Sequence, residues 1–142
     1  MKVWQNVYMA AFAEVPALPP TLRIDLASIE AGLPLAAISE FVANSGLQFK
    51  DVYEAVIPAR TLKHRRDRKE PLNLDESDRF ARLVRVYDYT VKVFGEKEKA
   101  LRWLNKPKHR FAERTPIQML RTESGGRMVE EMLGQIEHGM FA

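Results

Sequence analysis

Apolar positions in this chain recur at helical spacing wherever they form a pattern. Phe80, Leu83, Val84, Tyr87, Val91 and Phe94 keep i, i+3, i+4, i+7 steps, which predicts one long helix with a single buried face. Asn73 or Asp75 can cap it, Asp75, Glu76 and Asp78 crowd the positive end of its dipole, and Gly95 offers a C-terminal stop. Leu35, Ile38, Phe41 and Val42 predict a helix after Pro34, closed by Ser45-Gly46. Phe49, Val52 and Val56 mark another that Pro58 stops, and a third runs from Ala59 to Arg68 ahead of Pro71. A shorter helix over 96–104 ends at Trp103-Leu104, before Pro107. Thr115-Pro116 is a cap and first-turn proline for Ile117–Leu120. Thr122 to Gly126 reads as a turn, after which Met128, Val129, Met132, Leu133 and Ile136 predict a last amphipathic helix closed by Gly139.

The first third is less regular. Residues 1–13 predict a helix with Trp4, Val7, Tyr8 and Phe12 on one face, a surface for pairing with a second copy or for packing on its own bundle. The prolines of Val15–Pro20 break it, and 22–32 read as a short apolar connector ending at Gly32. No period-2 stretch predicts a strand, and no repeat or low-complexity segment is present, so the fold class is all-α.

A chain of 142 residues makes one domain, or two small lobes on a common core. With 46% hydrophobic and 29% charged residues it is a globular composition, far from disorder. There is no cysteine, which excludes disulfides, thiolate zinc sites and a cysteine nucleophile, and fits a cytoplasmic protein. No run approaches the ~18 apolar residues of a membrane span. Lys2 and the apolar stretch after it imitate an export signal, but Gln5 and Asn6 interrupt the stretch, so it reads as a helix or arm.

The charge is unevenly placed. The net +3 of the whole chain is exceeded by residues 60–69, where six basic residues and one acid give +5. Such a concentration suits a phosphate backbone, and it also suits a solvated helix face. Its context favours the first. A helix of about nine residues, a tight Ile57-Pro58-Ala59 turn and a basic helix make a helix-turn-helix outline. On the second helix Ala59, Leu62 and the stem of Arg66 form the apolar stripe. Arg60, Thr61 and His64 are placed for base edges, and Lys63, Arg65 and Arg68 for phosphates.

Enzyme chemistry finds little support. His64, His109 and His138 have no metal-ligand spacing, and Ser124-Gly125-Gly126-Arg127 lacks the spacing and preceding strand of a phosphate loop. The acids sit mostly at helix starts, where capping explains them.

Several separated motifs carry a resemblance. FGEKEKALRWLNKP from Phe94, RTPIQMLRTESGG from Arg114 and VEEMLGQIEHG from Val129 resemble the C-terminal toxin-binding domain of the Xre/MbcA/ParS antitoxins. ARTLKHR from Ala59 and LDESDRF from Leu74 resemble the same family's helix-turn-helix and the helix after it. The resemblance implies an antitoxin of a type II toxin–antitoxin system. It would bind a RES-domain toxin that consumes NAD⁺, cover its cleft, and repress the shared operon at operator DNA; a homodimer is expected because repressor-type helix-turn-helix proteins commonly dimerise over two half-sites. The chain itself would need no cofactor. The implied division is an arm over 1–33, a helix-turn-helix over 34–70 and a toxin-binding domain over 71–142. Lys106, Lys108 and Arg110 would face the toxin, and the tail residues Met140 and Phe141 would either enter its cleft or fold back onto their own core. The alternative is a stand-alone helix-turn-helix regulator, from which a neighbouring gene for a RES-type protein would separate it.

Overall fold

The computed structural model describes residues 24–139. The N-terminal face of Trp4, Val7, Tyr8 and Phe12, and the tail with Met140 and Phe141, lie outside the described residues. Within them the chain forms α1 (Leu26–Ala31), α2 (Leu35–Ser45), α3 (Phe49–Ala55), α4 (Ala59–Asp67), α5 (Leu74–Phe94), α6 (Lys97–Leu104), a 3-10 turn (His109–Phe111), α7 (Pro116–Met119) and α8 (Glu123–Glu137). The described residues hold no strand, only an isolated bridge between Lys108 and Arg114.

The 21-residue α5 is the axis of the molecule, about 30 Å long at 1.5 Å per residue. Its start is fixed by a reciprocal cap: Glu76 donates its backbone N–H to Asn73 Oδ1, and Asn73 N–H donates to the Glu76 carboxylate, both at 2.8 Å. Its end is Gly95, in the left-handed region at φ 81°. Its apolar face meets α2 through Phe41, whose ring stands edge-on to Phe80 at 5.6 Å and to Tyr87 at 5.4 Å. Such aromatic pairs add about 1 kcal/mol each beyond their buried area. The Tyr87 hydroxyl donates to the Ser45 carbonyl at 2.8 Å, and Ser77 Oγ accepts from Leu33 N–H at 2.9 Å. α1, α3, α6 and α8 also pack on α5, and α3 touches α7, so one core runs from Leu33 to Leu133.

Four local readings change. The 22–32 connector contains a helix, α1, because Asp25 and Ser28 cap each other's backbone. Thr122 to Gly126 is not a turn: Thr122 Oγ1 accepts from Gly125 N–H at 2.9 Å, and α8 begins at Glu123. The two glycines are there for contact. A Cβ on Gly125 would fall on the Met119 carbonyl, and one on Gly126 would sit 2.7 Å from Arg82 Cδ. Met128 and Phe49, expected in the core, are 44% and 38% exposed, while Val129 and Val52 on the same helices are buried. Ala59, expected on the apolar stripe of α4, is exposed.

Candidate DNA and partner interfaces

The outline over residues 48–69 is realised by α3, the Val56–Pro58 turn and α4. Val56 and Ile57 are buried in the turn, and both of their N–H groups donate to the Val52 carbonyl. The Arg79 guanidinium, reaching from α5, donates to the Val56 carbonyl at 2.8 Å and closes the end of α3. At the start of α3, Asp51 is buried and its Oδ2 accepts from Gln48 N–H at 2.9 Å. Burial pushes the Asp51 carboxyl up from its ordinary pKa, and the Gln48 hydrogen bond and Lys50 pull the other way.

α4 lodges on the bundle by Leu62, 4% exposed, and by an ion pair. The sequence places Arg65 among phosphate contacts; the structure engages it within the chain. Its Nε and Nη2 both donate to the Glu76 carboxylate at 3.1 Å, and its Nη1 donates to Glu70 at 3.2 Å. Glu76 is 4% exposed, and its Oε1 is also the acceptor that caps α5. One carboxylate therefore starts α5 and holds α4 against it. Arg65, one helical turn from Leu62, stands on the buried side and acts as a strut. Lys63 is paired with Asp67 at 2.9 Å, both exposed. Arg60, His64, Arg66 and Arg68 are exposed and make no side-chain hydrogen bond or ion pair among the described residues, while Thr61 is half-buried. Arg66, assigned by sequence to the apolar stripe, stands on this outer face and joins its positive surface. The chain leaves α4 through Lys69, whose φ of 56° reverses its direction toward α5.

The second basic region lies in the C-terminal half. α6, the 108–111 loop and α8 enclose an open groove of about 720 Å³. Its floor includes Phe94, Trp103, Met132 and Ile136, and its rim carries Lys106, Lys108 and Arg110. The structure thus brings three of the sequence-predicted partner residues onto one groove. The Lys108 ammonium lies over the Trp103 ring, 4.8 Å from its centre, and Trp103 packs on Phe94 at 5.7 Å. Burial, with Lys106 beside it, lowers the Lys108 pKa from the ordinary lysine value. Arg110 Nη1 donates to Gln135 at 3.3 Å, and His109 pairs with Glu113 at 3.0 Å. Sequence reading missed Lys99 and Arg102, which also line the groove. Their spacing from Trp103 and Lys106 on and just past one helix is the signal that could have found them.

Among the described residues no group of acids and histidines could hold a metal ion, and no helix is long and apolar enough to cross a membrane.

A recognition-type helix with an open basic face, on the same core as a basic groove, defines a helix-turn-helix protein with a separate partner-binding half. The comparisons agree. Residues 26–85 match the antitoxin Xre-like helix-turn-helix domain, and residues 91–139 match the antitoxin Xre/MbcA/ParS C-terminal toxin-binding domain. An Antitoxin Xre of Yersinia enterocolitica is 34% identical over 130 residues, 90% of this chain and 86% of that protein. One of Photorhabdus laumondii is 37% identical over 118 residues, 82% and 80% of the two chains. One of Pseudomonas putida is 52% identical over 86 residues, a match covering 61% of this chain and 54% of that protein. The chain belongs to the Xre antitoxin family: it has a helix-turn-helix domain and a toxin-binding domain, and it is not an enzyme. The two matched domains meet inside α5 rather than at a linker.

Proposed function

We propose that this antitoxin binds and blocks a RES-domain, NAD-consuming toxin in the cytoplasm, and represses its own operon by binding operator DNA as a homodimer. The observation that carries the reading is the pairing of two basic faces on one core: exposed cations on α4, and a basic groove in the half that matches toxin-binding domains. The DNA-binding part is assigned to residues 34–70 and the toxin-binding part to 71–142, with the arm over 1–33 as the dimer surface. On α4, Arg60, Thr61 and His64 face bases, and Lys63, Arg66 and Arg68 face phosphates. Lys106, Lys108 and Arg110 contact the toxin, and Met140 and Phe141 enter its cleft. A durable block calls for an interface of about 1,600 Å² in total, which the body of the C-terminal half supplies with the tail as an addition.

The test is co-expression of the full chain with the RES-type product of a neighbouring gene, reading cellular NAD⁺ and complex formation. The reading predicts protected NAD⁺ and a stable complex that shifts operator DNA. Removing residues 140–142 should weaken neutralisation and leave DNA binding intact. Operator binding without any effect on NAD⁺ would leave a stand-alone regulator. In sedimentation, a chain lacking residues 1–20 that stays dimeric would remove the N-terminal dimer surface.

A further inference from the structure

The C-terminal groove combines two features that point to one kind of occupant. Its floor is apolar, built from Phe94, Trp103, Met132 and Ile136. Its rim is cationic, and no acid lines it. Some cations elsewhere on the surface are matched, as Lys63 is by Asp67, Arg85 by Glu130 and Arg127 by Glu123, whereas Arg60, Arg66 and Arg68 on α4 are not. In the groove, Lys99 lies 3.8 Å from the Glu96 carboxylate, while Arg102, Lys106 and Lys108 have no carboxylate partner among the described residues. Lys108 is the most telling, because its ammonium is held over Trp103, partly out of water and next to Lys106. A partly desolvated cation beside a like charge is destabilised until an anion arrives. An apolar floor bordered by Arg102, Lys106 and Lys108 is complementary to a side chain with the opposite arrangement around it.

We infer that this groove is the seat of an acidic segment of the partner protein, one that lowers a large apolar residue onto Trp103 and places flanking carboxylates against Arg102, Lys106 and Lys108. The inference rests on the reading of the chain as an antitoxin and names the chemistry of the toxin segment it takes. Duplex DNA is the poorer fit, since a phosphate backbone has no apolar group for the floor.

Trp103 reports on its own site. In the full chain with Trp4→Phe it is the sole tryptophan, because the sequence has 2. The probe is a synthetic peptide, Glu-Asp-Phe-Glu-Asp-Glu with blocked ends. Titration should give a saturable change in Trp103 emission, weakened at least tenfold by Arg102→Glu with Lys106→Glu, and lost when the peptide's acids become lysines or its phenylalanine becomes glycine. Circular dichroism checks the fold; where the double reversal unfolds, Lys106→Gln with Lys108→Gln replaces it, with the same loss expected. Absence of a saturable change, equal binding of the lysine peptide, or tighter binding of a single-stranded oligonucleotide would each overturn the inference. So would a sedimenting dimer abolished by the charge reversal, which would make a second copy the occupant. The toxin separates this failure from that of the antitoxin reading. A charge-reversed chain that still neutralises the RES toxin fully removes the seat and leaves the antitoxin; a wild-type chain that fails to neutralise removes the antitoxin reading, while the peptide titration still decides the groove.

Discussion

On α4, Arg60, Arg66 and Arg68 stand in water with no carboxylate bound to them, while across the molecule Lys108 lies over an indole ring with its pKa lowered by burial. Both regions are basic, and both hold cations without a carboxylate partner among the described residues. They differ in solvent. Cations in full solvent bind a phosphate chain by releasing its counterions, so their contribution fades as salt rises. Cations at the edge of an apolar floor are screened less and act together with buried area. Net charge alone does not tell a DNA face from a protein face; what lies under the charge does. The two faces are also held in place differently. α4 is held to α5 by the Arg65–Glu76 ion pair, and α8 by close approach of Gly125 to the Met119 carbonyl of α7 and of Gly126 to the Arg82 stem on α5.

The largest expected effect tests the second of these joints. Gly125→Ala should destabilise the fold by about 3 kcal/mol, because the new methyl meets the Met119 carbonyl, which cannot move aside as a side chain can. Gly126→Ala should cost less, since it meets only the flexible stem of Arg82. Thermal melts give both; equal losses would mean that α8 is not seated by contact at Gly125. Arg65→Ala should cost about 2 kcal/mol by leaving the buried Glu76 carboxylate without its strongest partner. It should leave the salt dependence of operator binding unchanged, and a flattened slope would return Arg65 to the phosphate contacts.

The solvent contrast is sharpened by salt titrations. With about four phosphate contacts, log K for operator binding should fall with log salt at a slope near −3.6 per protomer. Arg66→Ala or Arg68→Ala should flatten it by about 0.9 each, and Lys108→Gln should not change it. Arg60→Ala should instead relax sequence preference, at about 1–3 kcal/mol for a lost base contact.

A smaller effect comes from α5 itself. Burial raises the Asp88 pKa to about 9, and its Oδ1 is buried with no hydrogen-bond partner. The folded chain keeps this carboxyl protonated where the unfolded chain, at about 3.9, releases it. Its stabilising contribution is therefore full below pH 4 and declines as pH rises toward 9. Asp88→Asn should raise the melting temperature by a few degrees at pH 7 and have no such effect at pH 3.5. The smallest effect is Lys63→Ala, which removes an exposed pair and should leave the melting temperature unchanged.

The long helix was legible in the sequence because six apolar positions, a cap and a stop all agree on it. So were the helix-turn-helix and the basic character of α4, since both are local. What escaped was set by partners distant in sequence. Arg65 reads as one more basic residue until α5 brings Glu76 beside it, 11 positions on. Gly125-Gly126 reads as a turn because conformational freedom is the usual reason for paired glycines; their true reason, the Met119 carbonyl and Arg82, exists only in the packed molecule. Charge and resemblance pick out Lys106, Lys108 and Arg110, which line one groove, whereas the apolar floor beneath them needs α6 and α8 folded together.

α5 carries Glu76, which holds the DNA-facing helix, and Arg82, whose guanidinium donates to the Leu120 carbonyl at 2.9 Å in the toxin-binding half. They stand six positions apart on one continuous helix. Recombination between relatives is thus constrained in a way that their domain pattern conceals. A chimera joined at residue 71 would pair a foreign Arg65 equivalent with this Glu76, and one joined beyond residue 95 would pair a foreign α8 with this Arg82. The helix-turn-helix half and the toxin-binding half are gripped by one piece of chain, and transplanting either means carrying α5 together with the residues that hold it.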